Sequence, residues 1–409
     1  MKIVQINTVT GTGSIGKIMV GIYKVAERNG EEPIIYYGRR KAPDGLCATK
    51  IASQAGVALH VLRGLFLGNS GFGSNYDTKR LIRMLEAEKP DVIHLHNIHG
   101  FYLNIEILFR YLKNSEIPIV WTLHDCWPFT GHCAYFDYVG CNKWKKECYQ
   151  CVQKRTAYPY SLIFDRSREN YNRKKELFTG LKNLYIVTPS YWLQELVQTS
   201  FLSEYSVRVI PNGIDLNQFK PMDTDQEEKI ILGVANIWEQ RKGLIYFEQL
   251  SNYLKENEII YLVGVNKKQQ MELQKKERKG LLPLGKIKTI CRTENQQQLA
   301  QLYAKAYVYV NTTLEDNFPT TNLEALACGT PVITFDTGGS SESLDHSCGI
   351  VVPQKDVAAL YRAIRTIKPD AKACRHRAQM FSLQDRFGDY LSLYRAVAKK
   401  NNNEIKDIR

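Results

Sequence analysis

Short apolar runs rich in Val, Ile and Tyr recur along this chain, and the segments between them bring apolar residues back at helical spacing. The runs predict a first series of strands at 2–7, 33–37, 92–95, 119–123 and 185–188. A second series is predicted at 230–235, 259–263, 288–291, 307–311 and 332–335. Amphipathic stretches such as 16–28 and 79–88 predict helices between them. Strand and helix alternate throughout, the pattern of α/β architecture with parallel sheets. A Pro-Asn-Gly turn at 211–213 and a polar, acidic stretch at 223–228 mark a linker between the two series, and no short-period repeat is present. Two domains are therefore expected, 1–205 and 206–382, each with its own sheet. Residues 126–155 form an insert in the first. The closing segment, 383–409, has helical spacing over 383–399 and is expected to pack back on the first domain.

The chain has 409 residues, 44% of them hydrophobic, enough to bury sizeable cores without a disulfide scaffold. Mean hydropathy is −0.33, and no apolar run approaches the roughly 18 residues a spanning helix needs. The start, Met1-Lys2-Ile3-Val4, runs quickly into polar and glycine residues and does not read as a secretory leader. A cytoplasmic location is the expectation, with the ten cysteines as reduced thiols or metal ligands.

Net charge is +13. Residues 1–210 hold 27 Lys and Arg against 18 Asp and Glu, and the remainder 28 against 24. The excess clusters at Arg39-Arg40-Lys41, Lys79-Arg80 with Arg83, Lys143 with Lys145-Lys146, and Arg173-Lys174-Lys175. Such runs are solvated helix faces, or they attract phosphate-bearing substrates or an anionic membrane surface. No signature of a nucleic-acid-binding module accompanies them, so no nucleic-acid partner is expected.

Chemistry-bearing residues gather at the carboxyl ends of the predicted strands, where parallel sheets bind ligands. Gly11-Thr12-Gly13-Ser14-Ile15-Gly16 follows the first strand and precedes a helix, which suits close approach of phosphate to backbone amides or simply a tight turn. The second strand runs into Gly38-Arg39-Arg40 and lacks the acidic residue of an NAD site, which disfavours NAD and leaves NADP open, since Arg can hold a 2′-phosphate. His124 follows the fourth strand, and His94, His96 and His99 compete with it for a role at the cleft. In the second half, Lys242 follows the first strand of its series within Trp238-Glu239-Gln240-Arg241-Lys242-Gly243, as a phosphate-neutralising cation or a surface loop. Glu315-Asp316-Asn317-Phe318-Pro319-Thr320-Thr321 precedes a helix ended by Gly329 and Pro331. Thr321 and Glu324 have the spacing of a capping box, which would account for Glu324 but not for the acidic pair upstream.

Cys133, Cys141, Cys148 and Cys151 are spaced C-x7-C-x6-C-x2-C in a segment rich in Gly, Asn, Lys and aromatics. Four thiolates ending in a CxxC suit a structural tetrahedral zinc. Free thiols in a loop and a redox pair at Cys148/Cys151 are the alternatives.

Together these segments resemble the family-4 glycosyltransferases of GT-B fold, along nearly the whole chain. The resemblance rests on the glycine loop, the His after a mid-domain strand, Pro211-Asn212-Gly213-Ile214-Asp215, the Arg241-Lys242-Gly243 stretch, the acidic residue before Glu324, and the run 323–333. The Thr122-Leu123-His124-Asp125-Cys126-Trp127-Pro128-Phe129 segment with its cysteines is similar to a subset that builds bacterial capsular and exported polysaccharides. The resemblance implies α/β GT-B architecture, two Rossmann-like domains with parallel sheets facing a cleft. It implies retaining transfer from a nucleotide-diphosphate sugar to a glycan or lipid-linked acceptor, with no catalytic cofactor. His124, Lys242 and Asp316 become the catalytic candidates. Gly13, Arg241, Lys242, Arg292, Asp316, Asn317, Phe318, Pro319, Thr320, Thr321 and Glu324 become the donor-binding candidates. Two positions depart from the family pattern: Asp316 stands where Glu is usual, so that Glu315 competes as the sugar-reading acid, and uncharged Asn236 stands near the usual diphosphate Arg. A sugar-nucleotide 2-epimerase and an NADP-dependent oxidoreductase are the rival readings.

Overall fold

The structure is a computed structural model describing residues 1–223 and 228–406, with side chains described through Lys399. It divides into two compact units, Met1–Pro211 with the segment from Gln384 onward, and Asn212–Leu383. The expected division at 205/206 thus falls at 211/212, in the Pro-Asn-Gly turn itself. Most of the expected acidic linker, 224–227, lies outside the described residues.

The first unit carries β1 (Lys2–Val9), α1 (Gly13–Arg28), β2 (Glu32–Arg39), β3 (Ala48–Lys50), α2 (Gln54–Leu67), α3 (Asn75–Glu88) and β4 (Val92–Leu95). It continues with α4 (Ile105–Lys113), β5 (Ile119–Thr122), α5 (Ser167–Phe178), β6 (Leu184–Thr188), α6 (Tyr191–Gln198) and β7 (Val207–Val209). All seven strands pair in parallel, in the order β3-β2-β1-β4-β5-β6-β7. β4 and β5 are buried along their whole length, as central strands covered on both faces are, and their two polar residues, His94 and Thr122, bond each other.

The second unit holds β8 (Lys229–Val234), α7 (Leu244–Ser251), β9 (Glu258–Val263), α8 (Lys267–Arg278), β10 (Ile287–Ile290), α9 (Gln296–Lys305) and β11 (Val308–Asn311). Then come α10 (Thr320–Ala327), β12 (Val332–Phe335), β13 (Gly349–Val352), α11 (Val357–Thr366) and α12 (Ala371–Gln379). Its sheet is again parallel, in the order β10-β9-β8-β11-β12-β13. Chain order reverses between β1 and β4 in one sheet and between β8 and β11 in the other. Crevices outside such switch points are the natural ligand sites of this architecture.

The last helix, α13 (Leu383–Lys406), belongs to the first unit. Phe387 lies so close to Gly21 of α1 that a Cβ there would sit 2.1 Å from its ring. Tyr390 and Tyr394 are buried, and the Tyr394 hydroxyl lies 2.6 Å from Nδ1 of His94 in β4. Arg395 donates to Glu31, which also pairs with the N-terminal ammonium.

Between β5 and α5, over 40 residues contain only two short 3-10 turns, Trp127–Phe129 and Lys143–Lys145. This segment nevertheless has an aromatic core: Phe136 stacks on Trp144 with ring centroids 4.7 Å apart, and Phe129 abuts Trp144 at 5.3 Å. Lys174 corrects the reading of the basic clusters. It is buried, with its ammonium 3.3 Å from the centroid of the Trp127 ring, donating to the carbonyls of Trp127 (2.7 Å) and Thr130 (3.0 Å). Arg173 pairs with Glu106. Within the cluster Arg173-Lys174-Lys175, Lys174 therefore holds the irregular segment and Arg173 joins α5 to α4, while Lys175 is exposed. No helix among the described residues is long and apolar enough to cross a membrane.

Candidate active site

In the second unit, the loops leaving β8 and β11 are sewn together. Leu314 N–H donates to the Arg241 carbonyl (2.7 Å), and the Thr312 hydroxyl donates to the carbonyls of Lys242 and Gly243. Gly243 has φ +75°, and a Cβ there would lie 2.2 Å from the Thr312 carbonyl oxygen, so only glycine permits this approach. The result presents Lys242 to Asp316, Nζ to Oδ2 at 2.5 Å. Arg241 donates to the Glu315 carbonyl at 3.1 Å. Burial works to raise the Asp316 carboxyl, but Lys242 and Arg241 outweigh it and hold the group below its ordinary range. Glu315 is buried and contributes its carbonyl at this point, whereas Asp316 contributes its carboxylate.

Asn317 and Phe318 lead into α10. Asn317 is buried, and the Phe318 side chain is packed in the core against Phe381, with its carbonyl accepting from Asn212 Nδ2 at 2.9 Å. Phe318 can therefore face a ligand only through its backbone. Pro319 is the N-cap residue of α10, and no side chain caps the helix. The capping box is not formed: Thr321 lies inside the helix, and Glu324 instead accepts a hydrogen bond from the Tyr303 hydroxyl at 3.0 Å. The first amides of α10, at Thr320 and Thr321, carry the positive end of the helix dipole. Arg292 stands apart, exposed beyond the edge strand β10, and no described bond ties it to Lys242 or Asp316.

In the first unit, β1 leads into a turn where Gly11 and Gly13 have φ +70° and +67° and Gly11 N–H donates to the Gly16 carbonyl. α1 begins at Gly13 with no side-chain cap and no acidic residue in its first turn. Space for 4 Å around a Cβ on Gly13 is open. The four histidines meet beyond β4 and β5. His94 is fully buried and held by Tyr394 and by Thr122 Oγ1 (2.8 Å), so it does not compete with His124 for a ligand. His99 pairs with Asp125 at 2.9 Å.

The remaining two histidines fix each other's tautomers. The Gln5 amide donates to the Met19 carbonyl, so its Oε1 accepts from His96 Nε2–H at 3.1 Å. Burial, with the nearby His94 and His124, keeps His96 neutral by driving its pKa well below the ordinary value. Its Nδ1 then carries a lone pair, which accepts from His124 Nε2–H at 3.1 Å. Burial pushes His124 down to about 4, against the pull of Asp125. His124 is thus neutral near pH 7 with a bare Nδ1, an acceptor for a hydroxyl and not a proton donor. Gln5 was not singled out from the sequence, and His96 entered only as a rival of His124. A glutamine inside an otherwise apolar first strand was the available signal.

A model of Glycosyltransferase Family 4 matches residues 24–218, and a model of Glycosyl transferases group 1 matches residues 228–370. The chain belongs to the family-4 glycosyltransferases. The colanic acid biosynthesis glycosyl transferase WcaC of Escherichia coli is 26% identical to this glycosyltransferase over 90% of this chain and 91% of that protein. An Escherichia coli UDP-Gal:alpha-D-GlcNAc-diphosphoundecaprenol alpha-1,3-galactosyltransferase is 24% identical over 44% of this chain and 51% of that one. The crystal structure of HepE from Anabaena in complex with UDP covers 97% of this chain and 100% of its own, with a TM-score of 0.66 at 15% identity. The fold of this glycosyltransferase is GT-B, and the epimerase and oxidoreductase readings are not favoured.

The four cysteines of the glycosyltransferase's insert border one cavity of about 40 Å³, together with His132, Phe136 and Trp144. Gly131 N–H donates to Cys148 Sγ at 3.2 Å. As the side chains stand, no three His, Cys, Asp or Glu groups among the described residues are arranged to hold a metal ion.

Proposed function

We propose that this glycosyltransferase is a retaining hexosyltransferase, moving a sugar from a nucleotide-diphosphate sugar to a glycan or lipid-linked acceptor in bacterial surface polysaccharide synthesis. The observation that carries the reading is the Lys242–Asp316 pair outside β8 and β11, beside the uncapped start of α10 and a Glu324 oriented by Tyr303. The names of the two Escherichia coli relatives support the polysaccharide and lipid-carrier classes, and UDP in HepE supports the donor class.

In this reading the donor diphosphate takes Lys242 from Asp316, and Asp316 turns to sugar hydroxyls. Glu324 binds the ribose. Arg241 and the α10 amides add positive potential where charge develops on the leaving diphosphate. The bond from the anomeric carbon to the diphosphate oxygen breaks, and the acceptor oxygen bonds that carbon on the same face. The acceptor proton passes to a phosphate oxygen of the leaving nucleoside diphosphate. His124, with its bare Nδ1, accepts from a sugar hydroxyl. Proton NMR of turnover tests the stereochemistry: an α-configured donor should give an α-linked product, and a β-linked product overturns retention.

Within the same reading, the cysteines of the insert take one structural zinc once their side chains turn inward, the support being that all four border one cavity. Metal analysis of protein purified without added metal should find about one zinc per chain. Zinc-free protein with four freely alkylated thiols ends that part of the proposal.

A further inference from the structure

Helix α2 does not bury the face its composition would suggest. All of its 14 residues but Gln54, His60 and Arg63 are Ala, Gly, Val, Leu or Phe, yet only His60 and Gly64 are buried. Leu59 (60% exposed), Leu62 (51%) and Phe66 stand in solvent at i, i+3 and i+7, which is one stripe of the helix. The stripe runs into a loop between the cysteine-bearing insert and α5, where Leu162, Ile163 (54%) and Phe164 (51%) are exposed in succession. Leu162 N–H donates to the Leu65 carbonyl at 2.7 Å, which joins the loop to the last turn of α2.

The carbonyls of these three exposed residues each accept a hydrogen bond. Arg155 Nε donates to Leu162 O, Lys154 Nζ to Ile163 O, and Ser161 Oγ to Phe164 O, at 3.0, 3.1 and 2.6 Å. An apolar tip with its carbonyls paired suits entry into lipid, since hydrocarbon offers no partner for a bare carbonyl. Cations lie beside it: Lys154 and Arg155, which donate to the tip's carbonyls, and Arg63 on the exposed side of α2. Apolar side chains above a basic collar match an anionic bilayer, with the apolar groups below the headgroups and the cations among the phosphates.

We infer that α2 and the 160–164 loop dock this glycosyltransferase onto an anionic membrane surface. The inference deepens the lipid-linked acceptor reading of the proposed function, and it places the contact on an apolar face and not on the basic runs the sequence emphasised.

The test is co-sedimentation with phosphatidylcholine vesicles, with and without phosphatidylglycerol. Wild-type protein should bind the anionic vesicles, and the combined Leu162→Gln, Ile163→Gln, Phe164→Gln variant should bind at least about tenfold more weakly. Leu62→Gln with Phe66→Gln is a second variant on a different element, in case the loop variant folds poorly. Phe164→Trp should show fluorescence quenched by brominated lipid acyl chains. Thermal stabilisation by nucleotide should be unchanged in every variant, so loss of docking and failure of the donor reading are separable. Equal vesicle binding by wild type and both variants overturns the inference. So does absent vesicle binding together with a dimer, seen in analytical ultracentrifugation, that the same substitutions dissociate.

Discussion

At the residue scale the account turns on single atoms whose partners are named. Lys242 Nζ is held by Asp316 alone among the described salt bridges, and that contact is the one a diphosphate would replace. Lys242→Ala should lower kcat by about 10²-fold if the ammonium stabilises a developing diphosphate charge. Steady-state kinetics with a saturating donor would check this, and near-normal kcat would remove Lys242 from the chemistry. His124 yields a prediction that needs no substitution. Long-range proton–nitrogen NMR at pH 7 should show Nε2–H and an unprotonated Nδ1 on His124, because the Gln5–His96 chain leaves no other arrangement. A proton on Nδ1 would contradict the hydroxyl-acceptor role. Sequence alone pointed to His124 but left His94, His96 and His99 as equal rivals. What separates them is burial and bonding partners distant in the chain, Tyr394 for His94 and Gln5 for His96, and no local pattern encodes those pairings.

At the element scale, every strand expected from an apolar run is present, from the fully buried β4 and β5 to the partly exposed edge strand β10. The three that were not expected, β3, β7 and β13, are edge strands of only three or four residues, too short for an apolar run to stand out. The helix after the acidic pair was legible, including its stop at Gly329, which has φ +82°. Its start was misleading: Thr321 and Glu324 match a capping box on spacing, but the N-cap of helix α10 is Pro319, two residues earlier, and the Tyr303 hydroxyl from α9 donates to the glutamate. The turn carrying Lys242 depends on Gly243. Gly243→Ala forces a left-handed alanine against the Thr312 carbonyl and should cost more than about 1 kcal/mol of stability. It should also weaken nucleotide binding, because the loop must move away from β11. Denaturant unfolding and nucleotide titration on the same variant would check both, and an unchanged pair of values would show that the stitched loops are not what positions Lys242.

For the whole molecule, buried neutral histidines make stability depend on pH, and they are gathered in one unit. His60 and His124 both fall to about 4 through burial, with Arg63 adding to the shift at His60. His94 and His96 are driven down as well. Each folded-state pKa lies below the unfolded value near 6.5, so the unfolded chain binds more protons in between. Stability from these groups is complete above about pH 6.5 and is lost as pH falls toward 4, by up to about 3 kcal/mol for each of His60 and His124. Hydrogen exchange at pH 7 and pH 5 should show protection falling in the first unit, which holds all four, and much less in Asn212–Leu383. Equal loss in both units would contradict this. The central claim is that the second unit binds a nucleoside diphosphate and its sugar through Lys242, Asp316 and Glu324. Thermal unfolding of wild-type protein and Glu324→Gln against UDP, GDP and ADP tests it most directly. The account predicts that at least one nucleotide raises the wild-type melting temperature, and that Glu324→Gln, melting like wild type when unliganded, binds that nucleotide at least about tenfold more weakly. Nucleotide affinity unchanged by Glu324→Gln, or no stabilisation by any of the three, would contradict it.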